Sequence, residues 1–201
     1  MPYSNYTLKL VKEEFGLEIV ENRDLFSTIK DMEISDNLKD TLNYNVPLAL
    51  AISTEKARSE LIISNILIEL KKILNDEISL FSGINFDVDK DRDLNGYCDY
   101  IISKSSVQLY LNSPIVAIVE AKNEQITSGL GQCIAEMIAS KIFNGNEKNN
   151  VDIIYGAVTT GNTWKFLKYI NNIAYIDKLE YHIAHVNKII GILVRMVCQE
   201  A

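Results

Sequence analysis

The longest helical pattern in the chain begins near residue 54. Apolar residues between positions 62 and 74 recur three and four apart, which is the spacing of one helix face. Thr54, with Ser53 as the alternative, is the predicted N-cap. The pattern therefore predicts a long helix that packs against another element. Its apolar positions are Ile62, Ile63, Ile66, Leu67, Leu70, Ile73 and Leu74.

Short apolar runs with strand character follow this helix, and two further helical patterns come after them. Residues 5–53 are predicted as a mixed, mainly helical section. Further helices are predicted over 125–143, ended by Asn-Gly-Asn at 144–146, and over 187–199. The predicted strands are 78–81, 97–103, 107–111, 115–120, 152–159, 163–170 and a short edge strand at 173–176.

The order of these elements predicts the fold class. A helix precedes an antiparallel meander, which is followed by a helix, a strand pair and a C-terminal helix. This order is typical of an α/β sandwich with a mixed central sheet. A length of 201 residues favours a single domain with a substantial core.

Composition limits the class of protein. Hydrophobic residues make up 47 % of the chain and charged residues 23 %, as in a folded soluble protein. No apolar stretch is long enough to cross a bilayer, and residues 1–15 lack the form of a secretory signal. Three cysteines without metal-ligand spacing favour a reducing compartment. We therefore expect a cytoplasmic protein without a membrane partner.

The net charge of −7 argues against a protein that coats nucleic acid by bulk electrostatics. It does not exclude a narrow cleft that binds a polyanion.

Acidic side chains are concentrated between the strands predicted at 78–81 and 97–103. Asp91, Asp93, Asn95 and Gly96 match the opening of an EF-hand calcium loop. The twelfth position is Ile102 instead of a bidentate Glu, and strands flank the loop where helices are required. A solvated acidic turn is the favoured interpretation, and a calcium-stabilised domain is an alternative.

Glu120 and Lys122 stand at the end of the apolar run 115–119. Residues two apart in a strand project to the same side, so a carboxylate and an ammonium emerge together from a buried strand. A salt bridge at the strand end would explain this pair taken alone. Asp99 changes the interpretation, because it interrupts another apolar run. A lone carboxylate is costly to bury there unless it binds a cation or a partner.

The flanking helices supply three more polar candidates. Gln132 and Glu136 lie four apart on one face of the helix that follows Glu120. Glu136 is predicted to be structural or solvated, and Gln132 has the alternative role of satisfying a backbone group. Glu60 lies in the long helix, where its alternative role is a surface pair with Lys56 one turn away.

Asp99, followed on the next meander strand by Glu120-Ala121-Lys122, resembles the motif of the PD-(D/E)XK nuclease superfamily, also called restriction-endonuclease-like. Cys98 occupies the position of the Pro in the motif name. Many members of the superfamily lack that Pro.

The likeness extends to the flanking helices. Members carry an acidic residue in a helix before the meander, here Glu60, and many carry a Gln in the helix after it, here Gln132. The resemblance covers about residues 54–170. It leaves 1–53 as an N-terminal extension and 171–201 as an edge strand and C-terminal helix.

The resemblance implies a three-layer sandwich and a Mg²⁺-dependent nuclease, with DNA as the expected substrate in restriction or repair. Asp99, Glu120 and the carbonyl of Ala121 would hold Mg²⁺, for which Mn²⁺ is a substitute. Lys122 would orient or help deprotonate the attacking water and stabilise developing charge.

Glu60 would bind a second metal, and Gln132 would orient phosphate or a catalytic partner. A homodimer is compatible with cleavage of both strands of a duplex. A nuclease-like fold used as a binding or interaction module without turnover is the competing function.

Overall fold

The computed structural model describes residues 2–199 of the chain. The helices in this range are α1 (Leu8–Phe15), α2 (Asp36–Ile52), α3 (Glu55–Arg58), α4 (Ser64–Ile73), α5 (Ile126–Asn146) and α6 (Val186–Cys198). The strands are β1 (Glu18–Arg23), β2 (Ser79–Asn85), β3 (Tyr97–Ser103), β4 (Ile115–Ala121), β5 (Ile154–Thr159), β6 (Thr163–Ile170), β7 (Ile173–Asp177) and β8 (Tyr181–His182).

The predicted helix start at Thr54 is confirmed. Thr54 Oγ1 accepts a hydrogen bond from the backbone N–H of Ala57 at 3.1 Å, which caps α3. A π-helical turn, Ser59–Ile63, joins α3 to α4. A wider turn leaves backbone carbonyls poorly paired, and nearby side chains compensate. Ser64 Oγ donates to the Glu60 carbonyl at 2.6 Å, so the long helix continues through the irregular turn.

The sheet has eight strands in the order β1-β7-β6-β5-β4-β3-β2, with β8 paired to β6. Strands β4 and β5 are parallel, as are β1 and β7, and the other pairs are antiparallel. The expectation that β7 is an edge strand is wrong, because β1 pairs with its outer side. The N-terminal section therefore contributes a strand to the central sheet.

Helices cover both faces of this sheet. One apolar cluster joins α2, α4 and α6 to the sheet, and a second joins α1 and α5 to the opposite face. An α/β fold with a mixed central sheet is confirmed. None of the helices between residues 2 and 199 is long and apolar enough to cross a bilayer.

The strand predicted over 107–111 does not form. Instead, the Gln108 side chain reaches the open edge of β2, where Leu80 N donates to Oε1 at 3.1 Å and Nε2 donates to the Leu80 carbonyl at 2.8 Å. The Gln108 amide makes the two hydrogen bonds that a neighbouring strand would make to Leu80. The backbone groups of Leu80 are therefore paired although residues 107–111 form no strand.

Helix α5 is fixed to the first residue of β4 by a buried side-chain amide. The backbone N–H of Ile115 donates to Asn144 Oδ1 at 2.8 Å, and Asn144 Nδ2 donates to the Ile115 carbonyl at 2.7 Å. Asn144 was predicted to lie in a helix-ending turn, but α5 continues to Asn146. Its side chain satisfies both backbone groups of a strand end that is closed to water.

We expect Asn144→Ala to lower the free energy of unfolding by about 2–5 kcal/mol, because two buried backbone groups lose their partners. Asn146→Ala is the matched control, since Asn146 is exposed in the same helix. It should change stability by less than about 0.5 kcal/mol. Urea unfolding of both variants measures the difference, and equal losses would contradict a structural role for the Asn144 amide.

Candidate functional site

Asp99 lies where the side-chain alternation of β3 is interrupted. Cys98 and Ile101 are three positions apart, yet both pack in the cluster on the α5 face. Strict alternation would place them on opposite faces. The residue across from Asp99 in β2, Gly83, has φ of 62°, a conformation that glycine adopts without strain. The interruption lets Asp99 line a cleft, and its Oδ2 accepts a hydrogen bond from Ala121 N at 2.8 Å.

A hydrogen-bonded chain links the end of β4 to α5. Lys122 Nζ donates to Glu120 Oε1 at 2.5 Å and to Gln132 Oε1 at 3.2 Å. Gln132 Nε2 in turn donates to Glu136 Oε1 at 3.0 Å. The amide of Gln132 thus accepts from the ammonium on one side and donates to a carboxylate on the other.

The two carboxylates of this hydrogen-bonded series, Glu120 and Glu136, are deeply buried. Glu120 is 1 % exposed and Glu136 is fully buried. The second oxygen, Oε2, of each is buried without a hydrogen-bond partner. Burial of a carboxylate oxygen away from water is costly unless a donor or a cation satisfies it. The unpaired Oε2 atoms of Glu120 and Glu136 therefore each need a proton or a cation.

Carboxyl groups outnumber ammonium groups in this cluster. Burial and the charges of Glu136 and Asp99 raise the pKa of Glu120 well above its ordinary value. Burial, together with the charge of Asp99, raises the pKa of Glu136 to about 8. Burial alone would lower the pKa of Lys122, but the charge and hydrogen bond of Glu120, with the charges of Glu55 and Asp99, raise it. Lys122 is therefore an ammonium near neutral pH.

Lys122 lies against α5 because that helix carries a glycine at the contact. A Cβ atom added at Gly129 would lie 2.9 Å from Lys122 Cε and 2.8 Å from Val158 Cγ1. The missing side chain leaves room for the alkyl stem of Lys122 between the strand and the helix. Gly129 is a supporting residue that the motif did not indicate.

A cleft of about 460 Å³ opens beside Asp99 and Ala121. Glu60 also lines it, but its carboxylate lies 3.6 Å from Lys56 Nζ and is mostly exposed. Glu60 thus makes the surface ion pair that was the alternative to a metal role. The other residues that line the cleft are Glu55, Lys56, Ser59, Ser64, Ser82, Gly83 and Tyr100.

The structure brings Asp99, Glu120, Lys122 and Gln132 into one cluster, and places Glu60 on the rim of the adjacent cleft. Glu136 joins the cluster as a fully buried member, so the solvated alternative for this residue is wrong. Its spacing of four from Gln132 is the signal in the sequence that points to this role.

The donor set fits a divalent metal in its chemistry. Asp99 and Glu120 offer carboxylate oxygens, and one oxygen of Glu120 is buried and unpaired. Mg²⁺ commonly binds one or two carboxylates and keeps waters or phosphate oxygens in its other positions. Across residues 2–199, no group of three or more His, Cys, Asp or Glu side chains could hold a metal ion. The fit thus depends on two carboxylates, with solvent or substrate completing the shell.

The acidic loop between β2 and β3 is closed by its own hydrogen bonds. Arg92 Nε donates to Asp89 Oδ2 at 2.8 Å, and Gly96 N donates to Asp87 Oδ1 at 3.1 Å. Tyr6 Oη also donates to the Arg92 carbonyl at 2.6 Å. The predicted acidic turn between two strands is confirmed.

No protein-family model matches this chain, and a search of curated proteins finds no match either.

The raised pKa of Glu136 predicts a pH-dependent stability. Because its folded pKa of about 8 exceeds the ordinary 4.5, the folded protein holds a proton that the unfolded chain has lost between these values. The stability from this proton is complete below pH 4.5 and is lost as the pH rises through 8. Relative to Glu136→Gln, wild type should lose up to about 5 kcal/mol over this interval.

Urea unfolding of metal-free protein between pH 5 and 8.5 measures this loss. Glu147→Gln is the control, because Glu147 is exposed at the end of α5. Parallel pH profiles for wild type and Glu136→Gln would contradict the prediction.

Proposed function

We propose that the protein is a Mg²⁺-dependent nuclease that hydrolyses phosphodiester bonds, with DNA as the expected substrate. The observation that carries the proposal is the cluster of Asp99, Glu120 and Lys122 beside an open cleft, with one buried oxygen of Glu120 unpaired. A carboxylate pair next to an ammonium provides a cation site and a fixed positive charge. Metal-dependent hydrolysis of a phosphodiester uses both.

The order and direction of the strands support a restriction-endonuclease-like sandwich as the finer description of the fold. A long helix precedes the antiparallel meander β2-β3-β4, α5 follows, and β5 lies parallel to β4. The motif residues occupy β3 and the end of β4, as the resemblance implies. Helices on both faces are consistent with three layers.

Asp99 and Glu120 would hold the metal, with the Ala121 carbonyl as a further ligand. A bound Mg²⁺ supplies activation of a water molecule and stabilisation of charge on phosphorus. Lys122 is held as an ammonium by Glu120, so it acts as a hydrogen-bond donor and positive charge towards water or phosphate. This favours orientation of the water over removal of its proton by Lys122.

Gln132 has a positioning role in this proposal. Its Oε1 accepts from Lys122 while Glu136 fixes the opposite end of the amide. The ammonium is thereby held from two directions, because Glu120 is its other partner. Glu60 would bind a second metal only after its ion pair with Lys56 is broken.

Titration with Mn²⁺ tests the cation site without a choice of substrate. Asp99→Ala and Glu120→Ala should weaken Mn²⁺ binding by more than about tenfold, because each removes a ligand oxygen. Binding should also tighten as the pH rises, since burial and like charges raise the pKa of Glu120 and its proton must leave. Isothermal calorimetry or Mn²⁺ electron paramagnetic resonance measures both effects.

Asp91→Ala is the matched control for that titration. Asp91 is exposed in the acidic loop and is not among the residues that line the cleft, so its loss should leave Mn²⁺ binding unchanged. Loss of binding in Asp91→Ala alone would place the cation in the loop. Absence of binding in wild type, with and without nucleic acid, would favour an interaction module that has no turnover.

Removal of the ammonium tests catalysis. Lys122→Met keeps the length of the side chain but not its charge, and should lower Mg²⁺-dependent cleavage at least about a hundredfold. Cleavage of supercoiled, linear and single-stranded DNA and of RNA is the measurement. Lys9→Met is the control, because Lys9 is an exposed residue of α1. Equal cleavage by wild type and Lys122→Met would exclude the proposed role.

A further inference from the structure

Arg58 is a half-buried cation that has no carboxylate partner within residues 2–199. It is the last residue of α3, between Glu55 and Ser59, which both line the cleft. Two of the other three arginines have partners of a different kind: Arg92 pairs with Asp89, and Arg23 lies over the ring of Tyr175 at 5.6 Å. Among the described residues, Arg58 has neither an acid nor an aromatic ring as a partner, which needs a separate explanation in a protein of net charge −7.

The guanidinium of Arg58 is held in place but is not saturated. One nitrogen, NH1, donates to the Thr160 carbonyl at 3.0 Å. Its Nε is buried and has no hydrogen-bond partner. A guanidinium carries several N–H donors in a planar fork that matches the oxygens of a phosphate. The fixed orientation and the donors of the fork that are left unused together indicate a site for an oxyanion.

The position of Thr160 places this donor next to the candidate site. Thr159 is the register partner of Ala121, and Lys122 N donates to the Thr159 carbonyl at 2.8 Å. Thr160 follows directly, at the end of β5, and neighbouring strands are about 4.8 Å apart. The turn after it is ordered, since Gly161 N donates to Thr159 Oγ1 at 2.8 Å. Arg58 therefore lies on the α3 side of the strand ends that carry Glu120 and Lys122.

We propose that Arg58 binds a phosphate group at the edge of this cleft. The phosphate is either part of a nucleic-acid backbone or a free phosphate. Only the first source rests on the proposed nuclease function. Arg58 would hold a phosphate beside the group to be cleaved, and Lys122 and the carboxylates would act on the scissile one.

The first test uses the metal-free full chain and inorganic phosphate at constant ionic strength. In ¹⁵N-edited NMR, the Nε–Hε signal of Arg58 should shift and saturate as phosphate is added. The signals of Arg23, Arg92 and Arg195 should remain in place. This arm uses wild-type protein, so it does not depend on how a variant folds. No saturable shift of the Arg58 signal, with either phosphate or DNA, would overturn the proposal.

The second arm measures binding of a short fluorescent single-stranded DNA in the presence of a chelator. Arg58→Gln should weaken binding about tenfold and reduce the slope of log affinity against log salt by about 0.7. Arg23→Gln removes the same charge from β1, at the far edge of the sheet, and should change affinity less than about twofold.

The two arms separate failure of this inference from failure of the proposed function. In one outcome, DNA binds tightly, Arg58→Gln does not change its affinity, and the Arg58 signal does not shift. This outcome would contradict the inference but not the nuclease proposal. A saturable shift with inorganic phosphate but no DNA binding would support Arg58 as a site for a small phosphate compound. That second result would count against a nucleic-acid substrate.

Discussion

The burial of two carboxylates against a single ammonium is the constraint on which the candidate site depends. Glu120 and Glu136 are both removed from water, and Lys122 is the cation that bonds directly to one of them. A buried charge is tolerated only when it is paired or when its pKa moves until it becomes neutral. Both responses occur here, because Glu120 bonds to Lys122 while the pKa of Glu136 rises to about 8. Such a cluster lowers stability. It lies next to Asp99 and Ala121, which line the cleft, and perturbed buried acids beside a cleft are typical of functional sites.

The fold holds this cluster by attaching α5 to β4 at both ends of the strand. Asn144 bonds to the first residue of β4, and Gln132 bonds to Lys122 just beyond the last. Three residues before Gln132, the close approach at Gly129 keeps the helix near the strand. Two polar anchors at opposite ends fix both the distance and the register of α5 on the sheet. The position of the Lys122 ammonium is therefore a consequence of tertiary packing and not of the strand alone.

Local signals in the sequence predicted the elements that carry the candidate site, and non-local pairing accounts for most of what they missed. The cap at Thr54 and the bounds of β3 and β6 depend on short-range patterns, and the structure has them as expected. The pairing of β1 with β7 joins distant parts of the chain, and no local pattern indicates it. The segment 107–111 has strand-like residues, but the side chain of Gln108 satisfies the sheet edge instead. The proximity of Asp99 to the end of β4 followed from the meander, whereas the burial of Glu136 required knowledge of the face that α5 presents.

Charge also constrains the order of events at the cleft. Asp99, Glu55 and Glu60 line it against one lysine, Lys56, so its field opposes a polyanion before any cation is bound. Lys122 offsets little of this field, because its ammonium is already engaged by Glu120. A divalent cation on Asp99 and Glu120 would reverse the local sign and lower the pKa of Glu120 in the same step. Arg58, which has no acid partner within residues 2–199, would attract phosphate from the side of α3 even before that. Under the proposed function, metal binding would therefore have to precede or accompany entry of the scissile phosphate, while the neighbouring phosphate could bind first.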